Sequence, residues 1–304
     1  MSPTCVKPLA DVLWLPWVGL SLLALVATGC SSLNNAVPVL PGASETAKLP
    51  DRHKFRIGHY FVCTDLELDR GHPLLRELEE LPEQIASTLR LPASLPVVQV
   101  YLFADRSRHE QYMHQAYREL PYRRALFMAR GTDPGMEELL VYAHWSDRIQ
   151  EDLRHELTHA YLHSVLRGIP LWLDEGLAEY FEAPTRSAGM HFANLQGLRA
   201  QVGENTWRPD LKRLEAMRRM EEMTASDYRE AWLWVHYFLH GPPAVRQAFL
   251  DYLQQLRHLD DAGPFSVRLE RVLPQPETAL YAHFQELDAR TRDLSHLVSE
   301  RTGS

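Results

Sequence analysis

The sequence predicts an α+β fold in which a small mixed sheet precedes a mostly helical C-terminal half. Segments with strand-like patterning fall between residues 54 and 144, whereas apolar residues recur at helical spacing from about 147 to 294. At 304 residues, 45% hydrophobic and 24% charged, the chain can bury a sizeable core, which excludes a collagen-like, coiled-coil or wholly disordered protein. The 32 Lys and Arg are scattered and outnumbered by 40 Asp and Glu, so no nucleic-acid footprint is present. Three cysteines, Cys5, Cys30 and Cys63, are too few for a disulfide framework. Cys63 reads as a small buried hydrophobe.

Residues 54–62 (KFRIGHYFV) carry the aromatic and β-branched residues of a strand, and 97–103 (VVQVYLF) reads as a second. Between them 73–91 spaces Leu74, Leu75, Leu78, Leu81 and Leu89 as an amphipathic helix interrupted by Pro82. A polar helix follows at 106–117. Strands at 125–130 and 138–144 flank the turn-rich GTDPGM. Helical patterns then occupy 147–166, 171–182, 192–201, 209–221, 225–240, 243–257 and 276–294. One folded domain is expected over 51–295, split into a sheet-plus-helix part (51–166) and a helical half (167–295), with a tail at 296–304.

The N-terminal segment stands apart. Residues 12–29 (VLWLPWVGLSLLALVATG) are uncharged, but the strongly apolar part is shorter than the ~20 residues that span a bilayer. A short apolar run ending in Ala27-Thr28-Gly29 has the form of a cleavable signal peptide over 1–29, with an uncleaved anchor as the alternative. Ala-Thr-Gly followed by Cys30 resembles a bacterial lipobox, which implies lipid on Cys30 and membrane attachment through it. By the same resemblance, Ser31 implies sorting to the periplasmic side of the outer membrane in a Gram-negative cell. Residues 30–50, rich in Ser, Asn, Pro, Ala and Gly, read as a flexible tether with a reach of about 25 Å.

The chemistry concentrates at Asp152-Leu-Arg-His155-Glu156-Leu-Thr-His159-Ala-Tyr-Leu-His163. Histidines four apart share one helical face, so His155 and His159 can point at a single Zn²⁺. Glu156, about 100° round the helix, can reach a water at the metal without being a ligand, as a general base requires. A catalytic zinc site uses three protein ligands, so a third is needed. Gly168 and Pro170 end this helix, and the next one (LWLDEGLAEYFE) presents Glu175 near its start. Glu179, one turn later, can accept an Nδ1–H from a ligand histidine. His163 continues the stripe but lies ~6 Å further along the helix, and reads as structural.

His-Glu-x-x-His followed by Trp-Leu-x-Glu-Gly-Leu-Ala-x-Tyr resembles the gluzincin metallopeptidases, the peptidase-MA-like branch above all. The resemblance implies a zincin-like fold, His155, His159 and Glu175 as zinc ligands, and Glu156 as the base in peptide-bond hydrolysis. Fewer residues separate the second His from the Glu than in thermolysin-like or aminopeptidase N-like chains. A metzincin is excluded, because its Gly and third His would fall on Leu162 and Val165. The substrate implied is a peptide or protein. A silent zincin-fold scaffold and a zinc hydrolase of a non-peptide substrate remain alternatives.

Three secondary expectations follow. The strands at 125–144 precede the zinc helix, where zincins carry the edge strand that holds an extended peptide. Arg130, Asp152 and Arg154 carry no signal separating them from surface charge. An oxyanion donor is expected on 225–240, where Tyr228, Trp232, His236 and His240 form a stripe. Tyr228, nearest the helix start, is the first choice and His236 the second, the alternative being that the stripe is core.

Overall fold

Strand pairing sets the frame of the molecule. The computed structural model describes residues 47–131, 137–259 and 261–302. The signal segment and Cys30 lie outside the described residues. β1 (His53–Ile57) and β2 (Tyr60–Thr64) form an antiparallel hairpin. β3 (Val98–Phe103) lies parallel to β2, and β5 (Glu138–His144) parallel to β3. β4 (Ala125–Arg130) pairs antiparallel with β5. The order β1-β2-β3-β5-β4 makes a mixed five-stranded sheet with β4 at one edge.

Alternation along each strand gives the sheet two apolar faces. Val98, Val100, Leu102, Leu139, Val141 and Ala143 enter the main core, together with α1 (Pro73–Leu89) and α3 (Ile149–Val165). Phe103, Leu140 and Tyr142 point the other way and pack with Met113 of α2 (Arg106–Ala116). Leu49 joins this second cluster, and the Ala47 amide donates to Gln115 Oε1 at 2.9 Å. The last residues of the expected tether are therefore docked on the sheet domain.

The remainder is helical: α4 (Leu171–Glu182), α5 (Phe192–Gly203), α6 (Leu211–Ala216), α7 (Ala225–His240), α8 (Pro243–Leu256), α9 (Phe265–Val272) and α10 (Pro276–Thr302). α7 runs through the centre of this half, and every residue from Glu230 to Leu239 is buried. It packs tightly on α4 because Gly176 lacks a side chain: a Cβ there would sit 2.7 Å from the Ala231 carbonyl oxygen. Among the described residues no helix is long and apolar enough to cross a membrane.

Four expectations are corrected. The single strand over 54–62 is a hairpin, turned at Gly58 with φ +50°, because an unbroken aromatic and β-branched pattern masks a two-residue turn. The helix over 209–221 stops at Ala216, and a separate 3₁₀ turn follows at Met220–Glu222. The short helix α9 follows Pro264 and gave too little period to read. α10 continues to Thr302, beyond the helical pattern read over 276–294.

Two buried histidines link this fold to acid. Burial, with His144 beside it, holds His109 down to about 4. Burial, with His240 and His283 beside it, holds His236 down to about 2. Both stay neutral in the fold and charge on unfolding once pH falls below the ordinary value of 6.5. The unfolded chain then binds more protons, so their contribution is complete above that pH and declines below it, by up to ~1.4 kcal/mol per pH unit per histidine. Urea unfolding midpoints are expected to fall from neutral pH to pH 5, and a His109→Gln, His236→Gln double variant to show a shallower fall.

Candidate metal centre

α3 places His155 and His159 one turn apart, and the short connection through Pro170 returns the chain so that α4 packs on α3. Glu175, 1% exposed, enters between them. The two imidazole Nε2 atoms are 3.1 Å apart. Glu175 Oε2 lies 3.5 Å from that of His155 and 3.7 Å from that of His159. Around a tetrahedral zinc, two donors at ~2.0–2.1 Å from the ion are ~3.3 Å apart, so these three atoms form one face of such a site.

The tautomers support the same assignment. His155 Nδ1 is 2.7 Å from Glu182 Oε1, and His159 Nδ1 is 2.9 Å from Asp174 Oδ1. A carboxylate only accepts, so each Nδ1 carries a proton, and in the neutral imidazole the lone pair is then on Nε2, the atom that faces the other histidine and Glu175. In that neutral form two lone pairs and a carboxylate oxygen converge on one point, where a cation would stabilise them. The donor set fits a divalent metal of zinc's size.

Charge is concentrated here. Burial disfavours the imidazolium of His155, but hydrogen bonds to Glu175 and Glu182 outweigh it and raise its pKa. His159 is likewise raised, burial being outweighed by Asp174 and Glu175. Against the cost of burial, His159 and His163 hold Asp174 far below the usual carboxylate range, and His155 and His191 hold Glu182 down to about 2. Glu179 moves upward, through burial and the charge of Glu182.

Glu182, rather than the expected Glu179, takes the His155 Nδ1–H. Glu179 Oε2 accepts instead from Asn194 Nδ2 at 2.8 Å. Glu175, Glu179 and Glu182 recur at helical spacing on α4, so the pattern that suggested Glu179 also contained Glu182. Asp174, the residue before the third ligand, binds His159 through one oxygen and His163 Nε2 through the other, at 2.8 Å. His163 is thus a brace. His191, absent from the sequence reading, donates from Nε2 to Glu182 at 2.9 Å, while its Nδ1 accepts from the Asn194 amide at the start of α5.

Arg154 corrects the reading of the flanking charges. It has no exposed surface. Its guanidinium donates to the carbonyls of Phe181, Glu182 and Ala183 and to Gln84 Oε1, with Glu77 at 3.5 Å. These contacts fasten the end of α4 and the face of α1 to the helix bearing His155. Asp152 is also buried and paired with Arg124 at 2.8 Å, whereas Arg130 is exposed and donates to the Tyr117 hydroxyl.

Glu156 reaches the edge of the sheet, where its Oε2 accepts from the Phe127 amide at 2.6 Å. The Phe127 ring lies against His159 and His163, with centroids at 6.4 and 5.4 Å. On α7, Tyr228 is half-buried and packs against the main core. The rest of its stripe is committed inside the helical half: Trp232 Nε1 donates to the Gly189 carbonyl, His236 meets His283, and His240 meets the Tyr180 hydroxyl.

No protein-family model matches the chain, and no curated protein is significantly similar to it in sequence. Among solved structures it is similar to an M1 zinc metallopeptidase from Deinococcus radiodurans, with 19% identity and a TM-score of 0.39. That match covers 77% of this chain and 51% of the other, so the chain spans about half the length of that protein.

Removing an Nδ1 partner is expected to weaken metal binding about 10–100-fold. Glu182→Gln and Asp174→Asn should each show this loss in a zinc-chelator competition. Glu179→Gln should bind zinc within a few-fold of wild type, and a larger loss there would return the orienting role to Glu179.

Proposed function

We propose that the protein is a zinc-dependent peptide hydrolase of gluzincin type, with His155, His159 and Glu175 as ligands and Glu156 as general base. The observation that carries the reading is the three-donor triangle with both Nδ1–H groups tied to carboxylates. Bound zinc supplies Lewis acidity toward the scissile carbonyl and toward an attacking water. Glu156 adjoins His155 in sequence and is no member of the triangle, so its carboxylate is available to take a proton from water and pass it to the leaving amine. The Phe127 amide holds that carboxylate at the edge strand, where an extended peptide can add to the sheet. Tyr228 is the assigned donor to the oxyanion.

Zinc-loaded protein is expected to cleave members of a peptide library, and a chelator to abolish cleavage. Glu156→Gln should keep its zinc and lose 10²-fold or more in kcat, the usual weight of a general base. Zinc-loaded Glu156→Gln with normal turnover would remove Glu156 from the reaction. In the same assay Tyr228→Phe should lower kcat with KM little changed. An unaltered kcat would remove Tyr228 from the reaction.

The lipid anchor at Cys30, with attachment to the periplasmic side of an outer membrane, belongs to the same proposal and rests on the N-terminal pattern alone. Cys30→Ser is expected to shift the protein from the membrane to the soluble fraction. Retention with membranes would favour an uncleaved anchor.

A further inference from the structure

Beside the edge strand, on the face of the sheet opposite the metal centre, lies a cavity of about 490 Å³, within the ~300–1,000 Å³ range of small-ligand pockets. α2 packs over β3 and β5, and the cavity lies between α2 and the 117–123 connection into β4, with Leu126 of β4 at its wall. Met113, Tyr117, Leu120, Tyr122 and Leu126 line it. Of the charged groups at its wall, Glu110 pairs with Arg106 at 3.5 Å, and Arg123 turns its guanidinium toward the neutral Met220 Sδ. Ser107, Gln111 and His114 complete the polar part of the wall, and the aromatic and aliphatic side chains give the rest a surface suited to a flat ring with a polar rim.

Its position relative to the chemistry follows from consecutive residues. Leu126 points into the cavity, while Phe127 points to the α3 face and lies against His159. The Phe127 amide points away from β5, since it donates to Glu156 rather than into the ladder. In an antiparallel strand alternate residues turn their backbone groups outward, so Ala125 and Ala129 present theirs to the same free edge as Phe127. A peptide added along that edge sends successive side chains to opposite faces of the sheet. Side chains of one parity then face α3 and the metal ligands. Those of the other parity face α2.

We infer that this cavity is a specificity pocket for an aromatic side chain of a peptide held along the free edge of β4. The inference rests on the peptide-hydrolase reading and adds to it the substrate class. Aromatic preference is expected only at peptide positions of one parity, because only these face α2.

The test scans Phe, Tyr, Trp and Ala through each position of an extended peptide. It measures kcat/KM on the zinc-loaded protein and, separately, Kd on the Glu156→Gln variant by fluorescence anisotropy. At least a tenfold preference for aromatic over Ala is expected at a position of the α2-facing parity, in both measurements. Leu126→Trp, which fills the pocket from the strand, should collapse that ratio. Leu120→Trp fills it from the opposite wall and serves if the strand variant does not fold. Cleavage without aromatic preference, or a preference that survives both fillings, overturns the inference and leaves the hydrolase reading standing. Absence of both cleavage and binding for every peptide overturns the hydrolase reading and the pocket with it.

Discussion

Arg154 holds the end of α4 by three consecutive carbonyls while it stands on α3 immediately before His155. The last carbonyls of a helix have no partner within it and carry its negative end, so a guanidinium with several donors is well matched to them. Because the carbonyl of Glu182 is among those held, the carboxylate that meets His155 Nδ1 is positioned by the neighbour of the residue it serves. Gln84 and Glu77 bring α1 into the same knot. A cation with no access to water can stay in place only while these partners remain, and losing such an arrangement typically costs ~3–5 kcal/mol. Helix packing and metal-site geometry thus share one side chain.

The spacing of the candidate metal donors was visible in the sequence because it is local. His155 and His159 face one way for reasons internal to an α-helix, and Glu175 follows after a short, Pro-marked turn. The supporting carboxylates were only half legible. Several acids on α4 recur at helical spacing, and which of them reaches His155 depends on how α4 lies across α3, a relation no single helix encodes. Asp174 was legible in principle as the residue beside the third ligand, yet its function depends on two histidines of another helix. Arg154 gave no signal, since its burial arises where the end of α4 and the side of α1 converge. The hairpin at Gly58 was hidden by the opposite problem, a pattern so uniformly strand-like that the turn left no gap.

The sheet divides labour between its faces. One carries the interior shared with α1 and α3, and the other a smaller aromatic layer under α2, with Tyr101 and Tyr142 stacked at 5.3 Å. β4 lies at the boundary of both, and among the described residues no strand pairs with its other side. An edge of this kind invites unwanted pairing with other chains unless something occupies it. Here a carboxylate occupies part of it, since Glu156 satisfies one of the outward amides.

Gly176 bears on how still the metal ligands are. Most helix contacts are made by side chains, which can change rotamer and let the axes drift by fractions of an ångström. Where α4 crosses α7 at Gly176, no side chain intervenes on the α4 side, and the main chain of Ala231 faces it with Val235 Cγ2 alongside. A contact of main chain on main chain has no rotamers to exchange. The residue just before it is Glu175, so the third donor proposed for the metal sits beside this close approach of the two helices. In the proposed metal site that carboxylate would need little rearrangement to meet an ion.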